Sequence, residues 1–265
     1  MTFTQSICDQ VASQLNTANP SPDTLNNALR LLSKWRSVLI QNTILKHQGT
    51  HVMQGPLKGL EFLQKSSEGC HIAKLLGCYE QPLQPFIEKA ISNHYAAVVN
   101  IGCAEGYYAV GMALRMPSSS IFAFDLNPKA QETCTTLAQM NDVSNRVKVG
   151  GLFKHEDFAV YANQKTLVLC DIEGAERELL IPALAPALKG MDLIVESHEC
   201  ISSGITQELV DRFKDSHDIE VINDNGQRSL IDAPVWFNNL SHLDQLLATW
   251  EWRSGPTPWL VMKAR

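Results

Sequence analysis

Several features that would narrow function quickly are missing from this 265-residue chain. No apolar run approaches the roughly 20 residues a membrane-spanning helix needs. Residues 1–20 are polar and lack a cationic start followed by an apolar block, so no signal peptide is expected. The cysteines are seven, an odd number, and no C-x-x-C pair occurs. That argues against a disulfide framework or a structural zinc site and for reduced thiols in a cytoplasmic setting. Basic charge is scarce: 22 Lys and Arg stand against 28 Asp and Glu, a formal net charge of -6, with no basic stripe. Tight nucleic-acid binding is therefore not expected. Internal repeats and low-complexity tracts are also missing.

What is present centres on Ala96 to Asp125. Ala96 to Ile101 is an almost wholly apolar run, as a strand buried on both faces should be. Gly102 and Gly106 bracket a turn where a side chain would block a ligand's approach to the backbone. Tyr107 to Leu114 continues as a mostly apolar helix, whose first N–H groups face whatever lies over the turn. Ile121 to Phe124 is a second strand, and Asp125 closes it with a carboxylate suited to ribose hydroxyls. A dinucleotide fold wants G-x-G-x-x-G; here Ala104 stands where the middle glycine would be.

The alternation continues along the chain. Further strands are expected at 147–149, 167–170, 193–195, 219–222 and 259–262, with helices between them. Seven strands alternating with helices describe a doubly wound, Rossmann-like α/β sheet. A loose boundary near Ser92 separates residues 1–92, a helical and hairpin cap, from 93–265, the ligand-binding domain. Within the cap a helix is expected near the start. A long amphipathic helix follows Ser21-Pro22, with Leu25, Leu29, Leu32 and Leu39 at helical spacing. It packs on its own domain, or serves a homodimer or a lid. A β-hairpin is expected over 51–63, turning at 54–59.

Open parallel sheets bind ligands beyond the carboxyl ends of their strands. The polar residues there are Gly102 to Tyr107, Asp125 to Asn127, Gly150 to Leu152, Asp171 to Glu176 and Glu196 to Glu199. The G-x-x-x-G turn with an acidic residue on the next strand resembles motif I of class I S-adenosylmethionine (SAM) methyltransferases, with Asn100 where Asp or Glu is usual. Asp171-Ile172-Glu173-Gly174-Ala175-Glu176 after one strand, and Glu196-Ser197-His198 after the next, resemble the FkbM-like branch of that family. The likeness covers about 96–199.

The resemblance implies a class I methyltransferase sheet, SAM as methyl donor, and O-methylation of small molecules, with the acceptor left open. It implies cofactor contacts for Asn100, Gly102, Ala104, Glu105, Gly106, Asp125, Leu126, Gly151, Leu152 and Asp171. Asp171 would lie beside the sulfonium. Of the groups able to take a proton from an acceptor hydroxyl, His198 is the first choice, since imidazole titrates near working pH. Glu173 and Asp171 follow. Tyr79, Glu80, Tyr107 and Tyr108 are candidates for the acceptor pocket. Asp171, Glu173, Glu196 and His198 hold enough ligand atoms for Mg²⁺ or a similar ion, but nothing in their spacing fixes a geometry, so a metal is not predicted. Lys74 could neutralise the SAM carboxylate from the cap, but a solvated lysine is the expectation, and Glu251, Trp252 and Arg253 are expected to close the sheet's last edge. The rival readings are N-methylation of a peptide or protein side chain, NAD-dependent oxidoreduction, and a non-catalytic scaffold. No membrane association is expected.

Overall fold

A computed structural model describes residues 2–66 and 70–265. Seven strands form one sheet in the order β3-β2-β1-β4-β5-β7-β6. They are β1 (Ala97–Ile101), β2 (Ser120–Phe124), β3 (Val147–Gly150), β4 (Thr166–Cys170), β5 (Asp192–Glu196), β6 (His217–Ile222) and β7 (Trp259–Ala264). The expected doubly wound α/β sheet is therefore present. β1 to β5 pair in parallel, while β7 runs antiparallel between β5 and β6. That reversal sets Trp259, where β7 begins, beside Glu196 and Ile222, where β5 and β6 end. The chain just before β7 thus reaches the edge where the parallel strands finish.

The helices are α1 (Phe3–Leu15), α2 (Pro22–Gln48), α3 (His71–Leu76), α4 (Gln84–Ser92), α5 (Tyr107–Arg115), α6 (Pro128–Met140), α7 (Glu176–Leu179), α8 (Ile205–Phe213), α9 (Val235–Asn238) and α10 (His242–Thr249). Short 3₁₀ turns lie at Gln81–Leu83, His155–Tyr161 and Pro186–Gly190. Side chains alternate across the sheet, so each face has its own core. On one face Val98, Ile121, Leu167, Leu169 and Ile194 pack with α5 and with Ile40, Ile44, Leu57, Leu60, Phe62 and Leu75 of the N-terminal region. On the other Val99, Ile101, Val168, Leu193 and Val195 pack with Phe153, Phe158, Leu209 and Phe213. All seven cysteines are free thiols, five of them buried.

Two expectations need correction. The leucine stripe of α2 does not face inward: Leu25, Leu29 and Leu32 are exposed, and Ala28, Ser37, Ile40 and Ile44 are buried. Burial of Ile40 and Ile44 in the core goes with this rotation, and polar anchors accompany it. Arg36 makes a two-pronged pair with Asp244 of α10, at 2.7 and 2.6 Å, and Arg30 donates to the Trp252 carbonyl at 3.1 Å. The start of α2 is as read, with Ser21 and Thr24 in a reciprocal capping box. The hairpin over 51–63 shrinks to one bridge, His51 with Glu61. Val52 and Phe62 still donate across it, but Met53 turns away to donate to Leu75 at the end of α3.

His71 opens α3, is 4% exposed, and donates from Nε2 to the Leu63 carbonyl at 2.7 Å. Burial, helped by the nearby Lys74 ammonium and opposed by the Leu63 carbonyl and Glu105, lowers its pKa to about 4. In the unfolded chain it titrates near 6.5, so between about pH 6.5 and 4 the unfolded state binds the extra proton. Its contribution to stability is complete above the higher value and is lost as pH falls, by up to about 3 kcal/mol. Urea unfolding at pH 7.5, 5.5 and 4.5 should show His71→Gln with a visibly flatter pH dependence than the parent. Parallel curves would remove His71 as the cause.

Candidate functional site

The loops after the parallel strands meet in a cleft of about 580 Å³, a volume suited to a small ligand. Gly102, Ala104, Asp125, Leu126, Gly151, Leu152, Asp171 and Glu173 all line it. So do Phe124, Phe153, Lys154, His155, Glu156 and Leu179, which the sequence did not mark out. Two of its walls are apolar side chains left open to solvent: Leu126 is 72% exposed and Leu152 59%. Large apolar side chains facing a hollow rather than a core form a natural seat for a flat, apolar ring. Asp125 stands between the β1 and β2 loops. Its Oδ2 accepts from the Ala104 N–H at 2.9 Å and its Oδ1 from the Asn127 N–H at 2.8 Å. Each oxygen keeps a further lone pair for a ligand.

The β1–α5 turn gives its glycines a different reason from the one read in the sequence. Gly102 has φ +77°, and an added Cβ would overlap the backbone oxygen of Asp171 on the neighbouring strand. Gly106 has φ +93° and packs on Cys134 of α6, lining neither this cleft nor the small cavity beside it. Both are required by backbone shape and close packing. Ala104 also sits at positive φ, +45°, and its N–H is thereby turned towards Asp125.

Behind the turn is a hollow of about 40 Å³ shared by Lys74, Tyr79, Asn100, Glu105, Tyr107, Tyr108, Asp171 and Trp259. Lys74 is not a solvated lysine. It is 5% exposed, lies 2.7 Å from Glu105, and has the rings of Tyr79, Tyr107 and Phe62 within 6 Å of its ammonium. Glu105 is completely buried. Burial opposes its charge, but Lys74 and Ser66 hold its pKa below the ordinary carboxylate value. Asn100 is buried too, and its Oδ1 has no hydrogen-bond partner among the described residues.

His198 lies where the sequence placed it, past the tip of β5, but it is enclosed rather than open, at 4% exposed. Its Nδ1 is 3.0 Å from Glu176 Oε1, a carboxylate with no solvent exposure whose same oxygen accepts from the Ile172 N–H. Its Nε2 faces Asp171 Oδ1 at 3.5 Å, Glu173 Oε2 at 3.5 Å and Glu196 Oε2 at 4.0 Å. Burial alone would lower the imidazole pKa; Glu176, Glu196 and Glu173 outweigh it and raise it. Loss of water, then the carboxylates of Glu196, Glu80 and Glu173, push the Asp171 pKa well up.

Two arginines tie this edge together: Arg253, from the Glu251-Trp252-Arg253 cluster expected to close the sheet, and Arg228, which the sequence does not mark out. Arg253 pairs with Glu80 at 2.8 Å, with Glu196, and with Glu251 and Asp224 at 3.2 Å each. Arg228 pairs with Asp224 at 2.6 Å and Glu251 at 2.5 Å. Glu80 therefore belongs to this network rather than to a solvent-facing pocket. Burial and the carboxylates of Glu196 and Glu251 raise its pKa to about 8, against the pull of Arg253, and Tyr108 donates to it at 2.5 Å. Tyr79, Tyr107 and Tyr108 contact one another, edge-on or tilted. Glu199, by contrast, caps α8 through the Gly204 and Thr206 N–H groups. The hint available in sequence was the density of charge at 250–253, not its destination.

No family model matches the chain, and no curated protein matches it. Among solved structures it is similar to the cofactor-bound Rv0187 from MTB, at 11% identity and TM-score 0.49, over 94% of this chain and all of that one. It is also similar to an O-methyltransferase from Bacillus cereus in complex with SAH, at 11% identity and TM-score 0.43, over 98% and 90%. An rRNA methylase from Streptococcus thermophilus matches at 12% and 0.46, over 69% and 97%. The functional reading rests on the cleft's own side chains, not on these likenesses.

Removing one partner of a buried charge network leaves the others unpaired, at a cost of about 3–5 kcal/mol. Arg253→Met should lose stability on that scale in urea unfolding, with Arg253→Lys intermediate. A loss below about 1 kcal/mol would show that water already neutralises Glu80 and Glu196. Gly102→Ala should be worse tolerated than Gly151→Ala by the same measurement, since Gly151 meets only the Gln131 side chain, at 3.6 Å. Equal effects would refute the backbone clash.

Proposed function

We propose that the chain is a SAM-dependent methyltransferase acting on a small molecule at oxygen. The observation that carries this reading is the juxtaposition of two unlike environments on one sheet edge. One is the 580 Å³ cleft, with Asp125 between two loops and Leu126 and Leu152 as bare apolar walls. The other is the carboxylate cluster around Asp171, which lines both that cleft and the small hollow behind the turn. A nucleoside fits the first: Asp125 takes the ribose hydroxyls, and Leu126 and Leu152 flank the base. Asn100, Lys74 and Glu105 present matching polar groups to an amino-acid end.

SAM supplies an electrophilic methyl on a positively charged sulfur; everything else is done by the chain. Asp171, partly exposed on the cleft wall and crowded by like charges, is held ionised by positive charge placed beside it and offsets that charge. Holding acceptor and donor in line supplies much of the rate. The acceptor hydroxyl must also lose a proton. His198 has its inner nitrogen committed to Glu176 and its outer nitrogen ringed by carboxylates. We therefore move the proton-accepting role to Glu173, which is exposed, lines the cleft and stands 3.5 Å from the imidazole. Residues 1–92 serve as a cap over the Tyr79, Tyr107 and Tyr108 side of the site. The net charge of -6 favours small molecules over nucleic acid as acceptors. One observation favours a second reading: an excess of carboxylates would also welcome an amine, so N-methylation is the alternative.

Calorimetric titration with SAM tests this. The parent should bind saturably, and Asp125→Ala should bind at least tenfold more weakly, with circular dichroism confirming the fold. Equal affinity would remove Asp125 from the site. Binding of NADH in place of SAM would overturn the reading altogether.

A further inference from the structure

We infer that Asp171, Glu196 and His198 form a binding site for one divalent transition-metal ion. The sheet builds it. β4 and β5 are neighbouring parallel strands with Cys170 opposite Val195, so the next residues, Asp171 and Glu196, leave the sheet side by side. His198 follows two residues later. One donor atom from each of the three lies within 4.8 Å of the others. An ion bound at about 2 Å from each ligand asks for donor separations of about 3–4 Å. His198 Nε2 meets that requirement, at 3.5 Å from Asp171 and 4.0 Å from Glu196.

The imidazole supplies the independent argument. The completely buried Glu176 engages Nδ1, which orients the ring and leaves Nε2 facing outward without a hydrogen bond. A carboxylate behind a histidine in this way is the arrangement that orients metal ligands. Nε2 then faces three carboxylates at 3.5–4.0 Å. Those distances exceed a hydrogen bond, and three carboxylates around one ring nitrogen call for positive charge, which a proton on Nε2 or a metal ion can supply. A cation between them converts every one of these contacts to attraction. The side chain is 4% exposed, so water does not provide that relief. Arg253 does not provide it either: it holds the other oxygen of Glu196, Oε1, and leaves Oε2 facing the histidine.

Two carboxylates and one imidazole form a mixed oxygen and nitrogen set, suited to Mn²⁺, Fe²⁺ or Zn²⁺ rather than Ca²⁺. Three protein ligands leave positions open, as catalytic sites do. An acceptor hydroxyl taking one of them would be acidified by the ion, with Glu173 beside it to receive the proton. That use of the ion rests on the function proposed above; the site itself does not.

Chelator-treated protein is titrated with Mn²⁺ without SAM and followed by electron paramagnetic resonance. One ion per chain should bind, with a nitrogen coupling from the directly ligated imidazole. His198→Gln should lose the coupling and at least tenfold in affinity. Glu176→Gln should keep the coupling but bind about 10–100-fold more weakly. Zn²⁺ should displace Mn²⁺. Failure of the parent to bind Mn²⁺ or Zn²⁺ at millimolar concentration overturns the site without recourse to any variant. So does a coupling that persists in His198→Gln. SAM titration of the parent, with and without the ion, separates the two ideas: SAM binding with no metal sinks only the ion site, and metal with no SAM sinks only the methyltransferase.

Discussion

Carboxylates withdrawn from water at the tips of β4, β5 and β7 are the constraint on which this structure depends. Glu80, Glu176, Glu196 and Glu251 are each 9% exposed or less. A buried carboxylate survives only when it is paired or hydrogen-bonded. Arg253 and Arg228 supply pairing on the β5–β7 side, Glu176 takes two donors near β4, and His198 stands between. The N-terminal region is drawn into the same arrangement: Glu80 reaches Arg253 across 173 residues of chain, and its own N–H donates to Glu251. The N-terminal region is thus fixed to the sheet edge by charge as well as by the apolar core it shares.

Local signals in the sequence carried the half of the site that is made locally. The β1 turn, α5 and β2 follow one another within 30 residues, and the apolar runs, the turn glycines and Asp125 are each readable from their neighbours. The strand tips at Asp171 and Glu196–His198 were legible for the same reason. What was not legible depends on the reversal of β7. Its antiparallel entry between β5 and β6 carries Arg253 to the centre of the edge; the cluster at 251–253 marks the sheet's last edge, but nothing near it names Glu80 or Glu196 as partners. Lys74 was misread because a lone lysine on a short helix usually points to water; here Glu105 and three aromatic rings replace the solvent. The leucines of α2 misled because periodicity marks an apolar face without saying whether anything covers it. The inward face is held by Ile40 and Ile44 and by Arg30 and Arg36, whose partners lie more than 200 residues away.

Non-glycine residues with positive φ include His94, Asp142 and Asp232 away from the site, and Glu80, Ala104, Glu173 and Trp252 where the polar groups converge; the conformation costs energy and persists only when surroundings enforce it. Each of the last four aims a group at the site. Ala104 turns its N–H to Asp125, Glu173 brings its carboxylate to His198, Glu80 offers its N–H to Glu251, and Trp252 precedes Arg253. A fold that only needed to bury its core would have no use for four such residues on one rim.

The same arithmetic of charge links the methyl donor and the ion. On the β4 side Asp171, Glu173 and Glu176 face no guanidinium among the described residues, while the guanidinium nearest Glu196 spends itself on Glu80 as well. Positive charge is therefore wanted at this end of the cleft before any ligand arrives. A sulfonium meets part of that demand transiently, since its charge vanishes on transfer of the methyl group. A bound cation meets it permanently, with His198 Nε2 and the carboxylates around it as its ligands. The two are complementary rather than competing: a resident ion would stabilise the carboxylates through the turnover during which the sulfur's charge is lost. The unequal division of cations between the β4 and β5–β7 sides gives the edge a direction, from a neutralised wall at Arg253 to an anionic face at Asp171. That gradient is what would draw a cationic donor into line with an acceptor held beside it.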